Sequence, residues 1–214
     1  MQIRAKPVLF LLDILFPARC LFCRKRLPYD AQTFFCPACR HQIAGSRPRE
    51  IPIPAGSCSY LLPYAANVRR AILAYKFHNK PQYAEALGPL LVPLIQASGQ
   101  VDCLTWAPVS TLRLLRRGYD QSRLLAEAAG RMLDIPVRPL LRKHRHTRKQ
   151  SRTPRNLRGE NVHGAYSLAG NAMPEGLRIA LIDDIVTTGS TLSECARVLI
   201  EAGAQAVYCM ALAH

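Results

Sequence analysis

The segment Ile179-Ala-Leu-Ile-Asp-Asp-Ile-Val-Thr-Thr-Gly-Ser-Thr191 constrains the fold more than any other part of this 214-residue chain. Four apolar residues, Ile179 to Ile182, read as a strand buried on both faces, as in the interior of a parallel sheet. Two acids follow, then a hydroxyl-rich turn with one glycine, then a helix from Thr191 to Glu201 ended by Gly203. Ala206 to Leu212 supplies the next strand, and strand–helix–strand order calls for a parallel pair. Asp183 and Asp184 then sit at the carboxyl edge of the sheet, where α/β proteins bind ligands. Paired carboxylates there accept hydrogen bonds from vicinal hydroxyls such as those of a ribose. Thr187, Thr188, Gly189, Ser190 and Thr191 gather backbone N–H groups, hydroxyls and a helix N-terminus, which together suit a dianionic phosphate. No lysine stands in the turn, so the GxxxxGK[ST] phosphate loop is excluded. Two other readings compete: residues that only cap a helix, and a two-metal or phospho-acceptor aspartate site. The latter wants further carboxylates, and the chain has 14 Asp and Glu in all.

Upstream, Val68–Phe77 and Tyr83–Ile95 carry helical spacing, and Val101–Ala107 reads as a buried strand. Asp120 is an N-cap for a helix with Leu124, Leu125, Ala128, Ala129, Met132 and Leu133 on one face. The expected fold is α/β, a parallel sheet with helices on both faces. Hydrophobic residues make up 49% of the chain, enough for a packed core. The proline-rich stretch Arg47–Pro63 reads as a linker, which places an N-terminal segment at 1–55 and the main domain at 56–214. Within the latter, residues 138–166 lack periodicity and read as a flexible basic loop or hairpin.

Four of the eight cysteines form two Cys-x2-Cys pairs, Cys20/Cys23 and Cys36/Cys39, separated by twelve residues. Each pair offers two thiolates from one tight turn, and two turns complete a tetrahedron around structural Zn2+. Two disulfides and an iron–sulfur cluster are the alternatives; a reducing cytoplasm disfavours the first. Four thiolates close the site, leaving His41 at the surface and no position for catalysis. Cys58, Cys103, Cys195 and Cys209 lie among apolar neighbours and read as core.

A formal charge of +15 points to anionic partners. Residues 138–160 hold nine Lys and Arg against one acid. The apolar run Val8–Phe16 contains Asp13 and lacks a small-x-small cleavage site, so it reads as a helix or strand packed on the body rather than a leader. With no other run near the length of a membrane span, a cytoplasmic location is expected.

These residues resemble the type I phosphoribosyltransferases, whose fingerprint is four apolar residues, two acids and a Thr-Gly-x-Thr-type loop. The order of Tyr75-Lys-Phe77, Arg113–Gln121, Thr147-x-x-Gln150, Arg158-x-x-Asn161-x-x-Gly164-Ala-Tyr166 and the 179–191 segment, behind four cysteines, is similar to the ComF (competence protein F) family over nearly the whole chain. The resemblance implies a type I phosphoribosyltransferase-like sheet behind a small zinc-knuckle module. It implies phosphoribosyl pyrophosphate as ligand with Mg2+, with Asp183 and Asp184 on the ribose and residues 187–191 on the 5-phosphate. It places a pyrophosphate loop at Pro108–Thr111, involving Ser110, Thr111, Arg113 and Arg117, and a closing loop with Arg145, Arg148, Lys149 and Arg152. Ser110 departs from the family's usual histidine and Asp120 from its usual asparagine. The implied function is a phosphoribosyltransferase-like protein linked to DNA uptake, its acceptor unnamed by the sequence. The alternative is a non-catalytic, single-stranded-DNA-binding competence or recombination factor with a regulatory nucleotide pocket. Residues 56–100, alone or with the zinc module, are left to supply any acceptor-binding hood.

Overall fold

The computed structural model describes residues 17–28, 30–144 and 162–214. Five strands form the main sheet: β1 (Arg49–Ile53), β2 (Gly56–Leu62), β3 (Cys103–Trp106), β6 (Arg178–Ile185) and β7 (Ala206–Ala213), in the order β1-β2-β7-β6-β3. The pairs β2/β7, β7/β6 and β6/β3 are parallel, while β1 runs antiparallel to β2. The sheet is thus mixed rather than purely parallel. The expected linker over Arg47–Pro63 is instead a hairpin turning at Pro54 and Ala55. Its prolines do not forbid this: Pro52 lies on the edge strand and Pro54 in the turn, where no ladder N–H is required. A second, two-stranded sheet pairs β4 (Leu141–Lys143) with β5 (Tyr166–Leu168), the hairpin option for the basic segment. The stretch between them that carries Arg145, Arg148, Lys149 and Arg152 lies outside the described residues, as does the Val8–Phe16 run.

The strict alternation of a central strand builds two cores. Along β6, Ala180 and Ile182 join one apolar cluster and Ile179 and Leu181 the other. The first cluster is covered by α2 (Ala66–Phe77), by short helical turns over 81–97 that include α3 (Ala84–Leu87) and α4 (Val92–Ala97), and by α6 (Gln121–Leu133). Tyr83–Ile95 is therefore helical in pieces, because Pro81, Pro89 and Pro93 each withhold an N–H from a continuous ladder. The second cluster lies under α7 (Ser190–Glu201) and the β4–β5 pair. Helices on both faces are as expected. Two more elements complete the chain: α1 (Pro37–Ala44) in the cysteine region and α5 (Thr111–Arg117) after β3.

Opposite the carboxyl edge, Arg178 grips Asp102 with Nε at 2.9 Å and Nη2 at 2.7 Å, fixing the start of β6 beside β3. The guanidinium holds the Asp102 carboxyl down at about 2. At the other face, Gly88 lets the 81–97 turns approach α6. A Cβ there would stand 2.4 Å from Ala128 Cβ and 2.9 Å from the Leu125 carbonyl oxygen. Gly88→Ala should destabilise the fold by about 1–3 kcal/mol, the usual penalty of overpacking, read as a lower denaturant midpoint at unchanged m-value.

Candidate phosphoribosyl site and zinc centre

The cysteine region folds as two tight turns. Arg24 adopts left-handed φ 66° to close the first, and Arg24 N donates back to the Cys20 carbonyl at 2.9 Å. In the second, Arg40 N donates to the Cys36 carbonyl at 2.9 Å. Leu21 N to the Phe34 carbonyl at 2.8 Å, and the Phe22–Phe35 ring contact at 4.8 Å, tie the turns together. The sulfurs of Cys20, Cys23, Cys36 and Cys39 all lie within 4.8 Å of one another, with Cys23 and Cys36 at 3.6 Å. A tetrahedron with ~2.3 Å Zn–S arms has edges of roughly 3.8 Å, so this set fits zinc. Its electrostatics ask for a cation. Burial opposes charge on Cys20, yet the N–H groups around it, from Cys36, Cys23 and Phe22, bring its thiol to about 6. Burial, and then the other three thiols, push Cys39 far up. Four thiolates are tolerated together only around a metal ion. His41 is exposed, and Cys58, Cys103, Cys195 and Cys209 are buried in the cores.

The end of β6 brings the two acids to opposite faces. Asp183 Oδ1 accepts from Ser122 Oγ and from Asp184 N, both at 2.8 Å. Asp184 Oδ2 meets Lys76 Nζ, from the last turn of α2, at 2.9 Å. Burial, reinforced by the Asp184 charge, raises the Asp183 carboxyl well above an ordinary aspartate, against the pull of Lys76. Neither Lys76 nor Ser122 is among the residues the sequence picks out for the site. The only signal for Lys76 is its place in Tyr75-Lys-Phe77.

The turn after the acids ends at Gly189, which precedes α7 in a left-handed conformation with φ 71°. A Cβ there would lie 2.1 Å from Ile53 Cγ2, because the β1–β2 hairpin packs directly over it. Thr188 Oγ1 and Ser190 Oγ are 2.9 Å apart, so their hydroxyls converge at the helix start. Thr191 hydrogen-bonds Tyr166, whose hydroxyl accepts from Lys143 Nζ at 2.8 Å. Thr187 is exposed. The turn thus gathers hydroxyls at the N-terminus of α7, and Lys143 is linked to its Thr191 through Tyr166.

The Pro108–Thr111 loop is held from behind by Asp120. One carboxylate oxygen accepts from Val109 N at 2.9 Å, and the other caps α6 by accepting from Arg123 N at 3.3 Å. Both partners are donors, so the departure from asparagine costs no hydrogen bond, although burial raises the Asp120 carboxyl. Ser110 is buried and Thr111 exposed. Arg117 donates to Gln121 Oε1 at 2.7 Å and stacks over Phe77 at 4.9 Å, close enough to Asp184 to feel its charge. Burial, then the Arg113 charge, lowers the Lys143 amine. Lys76 and Arg117 therefore bring positive charge to Asp184 and Lys143 brings it to Asp183, with Arg113 near Arg117 and Lys143. A cleft of about 440 Å³ lies along the loop, lined by Trp106, Val109, Thr111, Asp120, Arg123 and Lys143 among others.

Family comparisons match both parts. The double zinc ribbon domain matches residues 11–49 and the phosphoribosyl transferase domain residues 120–214. Competence protein F of Haemophilus influenzae is 28% identical over 230 residues, covering 93% of this chain and 98% of that protein. DNA utilization protein YhgH of Escherichia coli K12 is 29% identical over 190 residues, 80% of each chain. Competence protein ComFC of Bacillus subtilis is 37% identical over 97 residues, 45% of this chain and 37% of that one. Among solved structures, glutamine phosphoribosylpyrophosphate amidotransferase from B. subtilis overlays with a TM-score of 0.44 at 22% identity, covering 74% of this chain and 34% of that chain. Adenine phosphoribosyltransferase from Leishmania donovani gives 0.39 at 15% identity, covering 82% and 66%. The fold is the type I phosphoribosyltransferase-like fold with an N-terminal four-cysteine zinc ribbon.

Cys36→Ser should abolish stoichiometric zinc and lower Tm, since the ribbon's Cys20, Leu21, Phe22 and Leu27 share the core cluster of α2 and α6. Gly189→Ala should cost about 1–3 kcal/mol of stability, because the backbone is left-handed and Ile53 blocks the new methyl.

Proposed function

From its homology to competence protein F, YhgH and ComFC, with a double zinc ribbon ahead of a phosphoribosyltransferase domain, we propose that this protein binds phosphoribosyl pyrophosphate together with Mg2+. The observation that carries this reading is the end of β6: two acids, one of them paired to Lys76, then a turn with converging hydroxyls on a helix N-terminus. In it, Thr187, Thr188, Ser190 and Thr191 with the N–H groups around Gly189 receive the 5-phosphate, whose charge the α7 dipole favours. The carboxylates of Asp183 and Asp184 accept the 2′- and 3′-hydroxyl protons of the ribose. The pyrophosphate lies toward Ser110 and Thr111, where Arg113, Arg117 and Lys143 offset its charge.

Among the described residues, no cluster of three or more acids or histidines could cage a cation near Asp183. A Mg2+ ion would arrive with the ligand, since it usually keeps several waters and is held by one or two carboxylates together with substrate phosphates. When bound it would withdraw charge from the leaving pyrophosphate. The chain's own part in a transfer reaction is to hold the ribose so that the bond from C1 to pyrophosphate oxygen can break, the oxygen keeping the electron pair, while an acceptor's lone pair adds at C1.

The relatives' names, competence protein and DNA utilization protein, support a link between this binding and DNA uptake, and the charge of +15 supports a second, compatible role on single-stranded DNA. No helix among the described residues is long and apolar enough to cross a membrane.

Calorimetric titration with phosphoribosyl pyrophosphate and Mg2+ should give saturable binding to the wild type that Asp183→Asn weakens on the order of tenfold or more, as expected for losing a charge-assisted acceptor. No heat from the wild type at millimolar ligand would reject the reading. For DNA, oligonucleotide affinity should fall steeply from low to physiological salt, through release of counterions. An affinity flat in salt would remove that role.

A further inference from the structure

The helix α2 reaches the acid pair from the zinc side of the molecule. Its Val68, Ala71, Ile72 and Tyr75 are buried in the same cluster as Cys20, Leu21 and Phe22 of the ribbon. Arg70 Nη2 donates to the Phe22 carbonyl and, at 3.0 Å, to Asn67 Oδ1. At the other end, Tyr75 Oη donates to the Gln121 carbonyl at 2.8 Å, and Tyr119 Oη donates to the Tyr75 carbonyl. The helix is pinned by the ribbon on one side and by the start of α6 on the other. That double anchorage leaves Lys76 Nζ 2.9 Å from Asp184 Oδ2, with the two side chains only 20% and 8% exposed. A pair at this depth escapes most of the solvent screening that makes surface pairs weak.

The surroundings single out this lysine. Asp183 is faced by Asp184 on its own strand, Lys76 from α2, Cys58 from β2, Lys143 from β4, Tyr166 from β5 and Cys195 from α7. Asp184 is faced by Lys76 and Tyr75 from α2, by Arg117 from α5 and by Asp120 before α6. Arg117 is already engaged with Gln121 and Phe77, and Lys143 with Tyr166. Lys76 alone among these cations makes a direct contact with either acid.

Resting on the reading of this edge as a phosphoribosyl site, we propose that Lys76 is a positioning residue. It holds the Asp184 carboxylate in place for the ribose hydroxyls and offsets the repulsion between the adjacent acids, and the zinc ribbon fixes it there through α2. Lys76 thus takes part in ligand binding without touching the reacting atoms. The ribbon, closed to catalysis by its four thiolates, bears on the site through a helix it helps to pin.

The test compares zinc-loaded wild type, Lys76→Met and Lys76→Arg by calorimetric titration of phosphoribosyl pyrophosphate with Mg2+ across a pH series. Lys76→Met should weaken binding on the order of tenfold, and Lys76→Arg should restore most of the loss. Burial and Asp184 already raise the Asp183 carboxyl, and Lys76 is the cation that draws it back. Its removal should therefore move the acidic fall-off in affinity to higher pH, a displacement that a purely structural role would not produce. Unchanged zinc content and Tm establish that the variant is folded; if Lys76→Met loses either, Lys76→Gln carries the same comparison. Zinc-free but folded wild type should also bind more weakly. If Lys76→Met binds like the wild type with the same pH profile, the proposal is overturned while the phosphoribosyl reading stands. If the wild type itself takes up no ligand, that reading fails and the proposal falls with it.

Discussion

Two carboxylates on consecutive residues at the end of a buried strand repel each other and lose hydration, and the rest of this structure is arranged around that conflict. Strand alternation sends Asp183 and Asp184 toward opposite faces, yet each finds its partner on a helix of the same layer. Asp183 takes the Ser122 hydroxyl from α6, and Asp184 takes the Lys76 amine from α2. Both helices lie in the cluster that also holds the zinc ribbon. The acid pair therefore ties the sheet edge to the layer above it, and the ribbon supports that layer from outside.

The same edge separates rigid from adjustable parts. Asp120 fixes the Val109 backbone and caps α6 with one carboxylate, and the β1–β2 hairpin presses Ile53 onto Gly189. The two loops that flank the acids are thus held by their backbones, leaving hydroxyls and cations to meet a ligand. Preorganised donors of this kind cost no reorganisation when charge arrives. Ser110, in the first of these loops, is buried, while Thr111 beside it is exposed.

The 179–191 segment was legible in the sequence because its signal is local: strand, acids, turn and helix follow one another, and backbone geometry does the rest. The zinc cysteines were legible for the same reason, two turns of fixed spacing. The Lys76–Asp184 contact was not, since it joins residues more than a hundred positions apart and a lone lysine on a helix surface carries no pattern. Ser122 and Lys143 were missed on the same ground. The Arg47–Pro63 hairpin was hidden by its prolines, which mark a linker by composition but are harmless on an edge strand and in a turn. The antiparallel edge of the sheet follows from that hairpin and was missed with it.

The measurement that bears most directly on the central claim is a crystal structure of the zinc-loaded protein with phosphoribosyl pyrophosphate and Mg2+. The 5-phosphate is expected on the turn from Thr187 to Thr191, with the ribose hydroxyls on Asp183 and Asp184 and Lys76 still paired to Asp184. Ligand bound only elsewhere, such as in the cleft beside Trp106, or an Asp184 that turns away from the ribose, would contradict the account.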